Sequence, residues 1–210
     1  MKGARKVEPP RELVEWMELD SDDWTPTYPF NERHVRDAVI SALYIEQRGL
    51  CVYCGRLLDT SVPGKSYHIE HFRPRNGPNG RADLAVNHTN LFLSCGQLDE
   101  TGRRSQTCGT RKDDWFDEES HVEPAYPMCT KRFSFLRSGH IKPREVGDVS
   151  AIQMIDLLGL DHPELIADRA ATLALLDSDE LSVEDFWDGE NYRAESFGHV
   201  AFEHVGRVLP

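Results

Sequence analysis

The 210-residue chain has no apolar run close to the roughly 18 residues that a membrane span requires, so a membrane-spanning role is not expected. Its opening, Met-Lys-Gly-Ala-Arg-Lys-Val-Glu-Pro-Pro, is basic but lacks the apolar stretch of a secretory signal, and the expected location is the cytoplasm. There is no internal repeat, no low-complexity tract and no Gly-rich phosphate loop, which excludes ATP hydrolysis by a P-loop mechanism. Cysteine is sparse, at five residues. In a reducing compartment, clustered cysteines hold a metal more often than they form disulfides. Basic residues are also short: 24 Lys and Arg stand against 36 Asp and Glu, a net charge of -12. A phosphate-binding protein ordinarily shows the opposite balance.

The deficit is uneven. Residues 51–112 contain nine Lys/Arg and five Asp/Glu, a local charge of +4, and the remainder of the chain carries -16. The acidic frame reads either as a solvated surface or as a device that repels free nucleic acid, so that binding needs a partner or a special substrate. Hydrophobic residues at 39% and charged residues at 29% are ordinary for a globular protein.

Residues 1–30 are rich in Pro and Asp and read as an extended arm anchored by Trp16 and Trp24. Asn31 is positioned as an N-cap for a helix carrying Val35, Ala38, Val39, Ala42 and Leu43, with Gly49 as its stop. Residues 50–112 lose helical periodicity and become rich in Cys, His, Gly, Pro and Asn, so the chemistry is expected there. Further on, the alternation over residues 131–137 followed by Ser138-Gly139 predicts a hairpin. Residues 151–158 predict a short helix stopped by Gly159, and Asp161 with Pro163 begins another. Ser182 and Asp185 have capping-box spacing, and Phe197, Val200, Ala201 and Val205 mark a last amphipathic segment.

Cys51-Val-Tyr-Cys54-Gly has the shape of a knuckle in which two thiolates and the backbone between them fold around a tetrahedral metal. Cys95 and Cys108, separated by a polar loop over residues 96–107, supply the second pair. Both are followed by glycine, as expected of tight turns about a metal. Four thiolates leave no position for water, so the implied zinc is structural. Cys129 stands apart and reads as an ordinary packed residue.

Between the cysteine pairs, Tyr67-His68-Ile69-Glu70-His71-Phe72-Arg73-Pro74 suggests a strand ending at Pro74, and residues 90–95 a second strand returning to the zinc. Two strands joined by a loop and closed by a knuckle bring Glu70, His71 and Asn90 near one another. A carboxylate and an amide oxygen are hard ligands suited to Mg²⁺ or Mn²⁺. A neutral imidazole at His71 can take a proton from an attacking water, with His68 as the rival base. Arg73, Arg75 and Arg81 can grip flanking phosphates, and Lys112 contacts phosphate or the site, or is a plain surface lysine. His34, His121, His140, His162, His199 and His204 stand in no motif.

These elements resemble the HNH, or ββα-metal, nuclease family. Its fingerprint of an acidic residue before His and then Pro, followed by Asn-Leu and a closing Cys-x-x-x-Lys, is matched by Glu70-His71-Phe-Arg-Pro74, Asn90-Leu91 and Cys108-Gly-Thr-Arg-Lys112. The wording His-Ile-Glu-His-Phe-Arg-Pro, the preceding Gln47-Arg-Gly-Leu-Cys-Val-Tyr-Cys-Gly and the closing Cys-Gly-Thr-Arg-Lys are similar to a narrower group. That group is the PtuB-type HNH partners of Septu and retron-linked anti-phage systems. The resemblance implies an α+β fold: a zinc-stapled ββα-metal HNH core over residues 50–120, an N-terminal arm and helix over 1–49, and a C-terminal hairpin and helical region over 121–210 that binds a partner. It also implies a metal-dependent endonuclease, DNA favoured, held by an SMC/ABC-type ATPase of the PtuA kind. Many HNH proteins place His or Asn directly after the last cysteine. Here Gly109 stands there, leaving the third metal position to His88, Asp113 or water. The alternative function is a zinc-stabilised nucleic-acid- or protein-binding module with a decayed active site.

Overall fold

In the computed structural model, which describes residues 1–64, 66–96, 103, 105–126 and 128–210, helices alternate with three two-stranded antiparallel hairpins in an α+β arrangement. The polar loop expected between Cys95 and Cys108 falls largely outside the described residues. No helix is long and apolar enough to cross a membrane among the described residues.

The N-terminal arm is not extended throughout. Leu13 and Trp16, one turn apart, are buried on a short helix, α1 (Arg11–Met17), and Trp24 meets Trp16 edge-on at 5.5 Å. In α2 (Arg33–Glu46), Val35, Val39 and Leu43 recur every four residues, and all three are fully buried. Burying each such side chain stabilises the fold by about 1.5–3 kcal/mol. Glu32 rather than Asn31 occupies the cap position, without a side-chain cap bond. The helix ends where Arg48 and Gly49 turn to positive φ.

The central hairpin pairs β1 (Tyr67–His71) with β2 (Leu91–Cys95), Ile69 opposite Leu93 and His71 opposite Leu91. The strand pattern expected to run to Pro74 stops at His71. Gln47, at the C-cap of α2, locks helix to hairpin: its amide donates to the carbonyls of Leu50 (2.7 Å) and Leu93 (2.8 Å) and accepts from the Leu93 N–H (2.7 Å). The short helix α3 (Cys108–Lys112) packs on β2.

Beyond it, the expected hairpin forms from β3 (Phe133–Phe135) and β4 (Ile141–Pro143). Helix α4 (Val149–Leu157) is capped by Asp148, whose carboxylate accepts from the Ala151 N–H. In α5 (Pro163–Asp177) the proline stands in the first turn, as its missing N–H favours, but the cap position belongs to His162. Asp161 does different work. Its carboxylate takes the Ile141 N–H at 3.0 Å and the His140 ring at 2.7 Å, tying α5 to the hairpin. The Ser182–Asp185 capping box is present before a single 3₁₀ turn. The small hairpin of β5 (Trp187–Asp188) and β6 (Arg193–Ala194) then leads to α6 (Gly198–His204). One hydrophobic core runs from Met1 to Val200 through all three sequence segments, with a small satellite around Phe186 and Phe202.

The arm, α2 and the turn before β2 meet at a buried polar junction. Glu46 binds the Lys6 ammonium (3.0 Å), the Val7 N–H (3.0 Å) and the His88 ring (2.8 Å). Burial by itself would raise the Glu46 carboxyl, but the His88 hydrogen bond and the Lys6 charge more than offset it and hold the group below its ordinary 4.5. A carboxylate depressed in this way stabilises the fold fully above its unfolded value and less as pH falls through the folded one. The stability advantage of the wild type over Glu46→Gln is therefore expected to be full at neutral pH and to shrink below about pH 4. Urea denaturation across that range checks it, and a difference that does not vary with pH would remove the charge from the explanation.

Candidate metal centre and adjoining cleft

Four thiols converge. The Sγ atoms of Cys51, Cys54, Cys95 and Cys108 all lie within 4.8 Å of one another, close enough to bind one metal ion. They come from the loop after α2, the end of β2 and the first residue of α3. The knuckle turns through Gly55, whose φ of +81° suits glycine and whose Cβ position is blocked by the His199 ring at 2.1 Å. Backbone N–H groups point at the sulfurs, Cys95 N–H to Cys51 Sγ at 3.3 Å and Arg56 N–H to Cys54 Sγ at 3.5 Å. Burial would raise the Cys51 thiol, but hydrogen bonds from the other three cysteines pull it well below its ordinary value, and hydrogen bonding to Cys51 pushes Cys108 well above. Such crowded sulfurs ionise together only around a cation, which is the behaviour of a metal-ligand set. Cys129 is buried and stands outside the set.

Glycine after the last cysteine has a reason other than a turn. The positive φ, 58°, belongs to Cys108 itself. At Gly109 a Cβ would lie 2.4 Å from Oε2 of Glu70 and 2.7 Å from Nε2 of His68. Glycine lets the first turn of α3 lie against those two side chains as they stand, whereas a larger residue would push their ends aside.

That contact borders a cleft of about 440 Å³ lined by His68, Glu70, His71, Arg75, Asp113 and Asp114, among others. Glu70 is buried, and Oε1 receives the Tyr53 hydroxyl and the Lys112 ammonium, each at 3.0 Å, while Oε2 lies 3.4 Å from His68 Nε2. Burial alone would raise its carboxyl. The Lys112 charge and the His68 hydrogen bond reverse this and hold it at about 2, so Glu70 is an anion at neutral pH. His71, at the end of β1, donates from Nε2 to the Ala85 carbonyl at 2.9 Å, and Tyr28 meets its ring edge-on at 4.5 Å. A carbonyl only accepts, so the neutral ring carries its lone pair on Nδ1. Burial lowers this imidazole to about 4, and it is neutral at pH 7.

Asn90 does not line this cleft. Its amide is spent on the loop between β1 and β2: Oδ1 accepts from the Arg73 N–H at 2.8 Å, and Nδ2 donates to the carbonyls of Arg73 (3.0 Å) and Leu84 (3.2 Å). The amide oxygen expected to face an ion thus closes the loop instead. His88, an expected candidate for the third metal position, is bound to Glu46 and likewise does not line the cleft.

The basic residues separate in the same way. Arg75 lines the cleft with its guanidinium 4.6 Å from the Tyr28 ring centre. Arg73 pairs with Glu118 over the Phe116 ring, and Arg81 is chelated by Asp83. Lys112, read from sequence as a phosphate contact or surface lysine, is buried at 2% exposure, with its ammonium held by Glu70 and by the carbonyls of His71 and Asp113. A surface role is corrected by that burial.

Sequence reasoning passed over Tyr53 and Tyr28, which touch Glu70 and His71, and Asp114 in the cleft wall. For Tyr53 the signal was its place inside the CxxC knuckle; for the other two no local signal exists. Removing the amide in Asn90→Ala leaves three backbone groups short of partners and is expected to cost about 2–3 kcal/mol of stability. Asn90→Asp is expected to cost at least as much, because a carboxylate cannot donate to the Arg73 and Leu84 carbonyls. Denaturant titration of both variants checks this, and an Asn90→Asp protein as stable as wild type would return the residue to the ligand role. No protein-family model and no curated protein matches this chain.

Proposed function

We propose that this chain is an HNH-type endonuclease that hydrolyses nucleic-acid phosphodiester bonds, DNA favoured, with zinc on its four cysteines. The observation that carries the reading is His71. It is a neutral imidazole, held through Nε2–H by a backbone carbonyl, in the same cleft as the ionised Glu70. In that role His71 takes the proton of the attacking water at Nδ1, and the Ala85 carbonyl stabilises the imidazolium that forms. Glu70, with His68 beside it, is the residue placed to hold a divalent ion of the Mg²⁺ or Mn²⁺ type, and its depressed carboxyl keeps it anionic. Such an ion, when bound, supplies Lewis-acid stabilisation of the charge growing on the phosphate. Arg75 is the cleft cation positioned for a flanking phosphate, and Tyr28 packs both it and His71 in place.

The zinc is the structural element of this reading. Four thiolates suit Zn²⁺ and leave it no open position. One equivalent per chain is expected by metal analysis. Cys54→Ser is expected to lose it together with about 10 °C or more of melting temperature, because metal binding contributes directly to folding. A Cys54→Ser protein that keeps both would count against the staple.

The SMC/ABC-type ATPase partner and the anti-phage role enter through the resemblance, and the -16 acidic frame agrees with an enzyme that is quiet alone. A second reading is a zinc-stabilised binding module. It is favoured by the Lys112 ammonium on Glu70 and by the cysteine set being the only group of three or more ligand-type residues close enough for one ion among the described residues. Plasmid DNA and RNA incubated with Mg²⁺ or Mn²⁺, with and without the ATPase, separates the two. Cleavage is expected, and His71→Ala is expected to reduce it by about 10²–10⁴-fold. No cleavage by the wild type under any of these conditions, with binding retained in His71→Ala, decides for the module.

A further inference from the structure

A cavity larger than the Glu70 cleft lies elsewhere. It encloses about 940 Å³, in the range of about 300–1,000 Å³ typical of small-molecule sites, and shares no lining residue with the Glu70 cleft. Its walls come from the first residues of the arm, the end of α2, the segment before β3, and the region of α6 and beyond. In a chain of net charge -12, seven Lys or Arg line it against two Glu. Both carboxylates are already neutralised, Glu46 by Lys6 and Glu203 by Arg144 at 2.5 Å. Lys2, Arg5 and Lys131 have no carboxylate partner among the described residues. Lys2 donates only to the Gly3 carbonyl, whereas Arg48 is held by the Ile45 carbonyl, by Pro210 O at 2.8 Å and over the Tyr192 ring.

His199 lines the same cavity at 4% exposure, and neither of its ring nitrogens has a hydrogen-bond partner. Buried polar groups are nearly always satisfied, and an orphaned one in a cavity wall marks a missing partner. A neutral imidazole offers one donor and one acceptor, and a nucleobase edge carries a complement to either one. Tyr126, 51% exposed at the rim, adds a ring on which a base can stack. An acidic peptide would use the same cations, but a cavity of about 940 Å³ is of small-molecule size.

We propose that this cavity binds a nucleoside polyphosphate, its phosphates on Lys2, Arg5 and Lys131 and its base beside His199. The site is independent of the nuclease reading, and no hydrolysis of the ligand is implied. The full chain is titrated calorimetrically, in buffer without divalent metal, with ATP, inorganic tripolyphosphate, adenosine and a hexaglutamate peptide. One ATP is expected per chain, bound more tightly than tripolyphosphate, with adenosine and the peptide not measurably bound. Arg5→Glu with Lys131→Glu changes two exposed side chains and is expected to weaken ATP at least tenfold at an unchanged melting temperature. In the wild type the His199 ring resonances are expected to shift on saturation with ATP, a readout that needs no variant. Failure of ATP and tripolyphosphate to bind overturns the proposal. So does affinity insensitive to the double reversal, an equal loss in Arg75→Glu, which would place the ligand in the cleft, or a peptide that binds more tightly than ATP, which would make the cavity a protein-docking site.

Discussion

The convergence of four sulfur atoms is the constraint on which the arrangement around Glu70 depends. A hairpin of two five-residue strands is marginal by itself, and a five-residue helix is well below the length at which helices hold in water. Here the hairpin, the knuckle after α2 and the start of α3 meet at Cys51, Cys54, Cys95 and Cys108, whose sulfurs lie close enough to share one metal ion. Ser94 extends the junction by accepting the Gly109 N–H at 3.0 Å. The C-terminal half packs on the outside of the knuckle, where Arg56 pairs with Asp168 of α5 at 2.6 Å and the Phe197 N–H binds the Gly55 carbonyl. A metal ion held by thiols from such distant segments would act as a crosslink whether or not its neighbours do chemistry.

Placing α3 places Lys112, and Lys112 decides the state of Glu70. A buried carboxylate without a partner would take up a proton. With an ammonium at 3.0 Å, a tyrosine hydroxyl at 3.0 Å and a histidine alongside, Glu70 stays ionised in a site nearly closed to water. Gly109 makes the approach possible by having no side chain to collide with Glu70 and His68. The thiol cluster and the cleft are therefore mechanically coupled: the strand that ends in Cys95 pairs with the one bearing Glu70, and the helix that begins with Cys108 carries its counter-ion.

The charge distribution follows the same logic of distant segments meeting. Along the chain, positive charge collects in residues 51–112, yet much of it is neutralised at short range, Arg56 by Asp168, Arg73 by Glu118 and Arg81 by Asp83. The unpaired cations Lys2, Arg5 and Lys131 come from segments that look ordinary one at a time, and they gather only where the arm meets the segment before β3. Concave surfaces with one sign of charge concentrate their field. In an otherwise acidic protein such a cavity is the place where an anion is favoured.

Helices α2, α4, α5 and α6, the β3–β4 hairpin and the central strands were legible from spacing, because the periods of 3.6 and 2 are properties of consecutive residues. The four cysteines and the grouping of His68, Glu70 and His71 were legible for a related reason: ligand and strand spacings are written locally. Helix α1 was missed because seven residues hold only Leu13 and Trp16 as buried positions, too few for a period to emerge among prolines and acids. What each polar group does was not local at all. Asn90 closing a loop, Asp161 bracing a hairpin, Lys112 buried under Glu70 and His199 facing a basic cavity all depend on which distant backbone or charge the packing brings within about 3 Å. Sequence thus settled most of the elements and the grouping of the four cysteines, while the partners of its hydrogen-bonding and charged groups were decided by tertiary packing, since a polar side chain's role is set by what desolvates and pairs it.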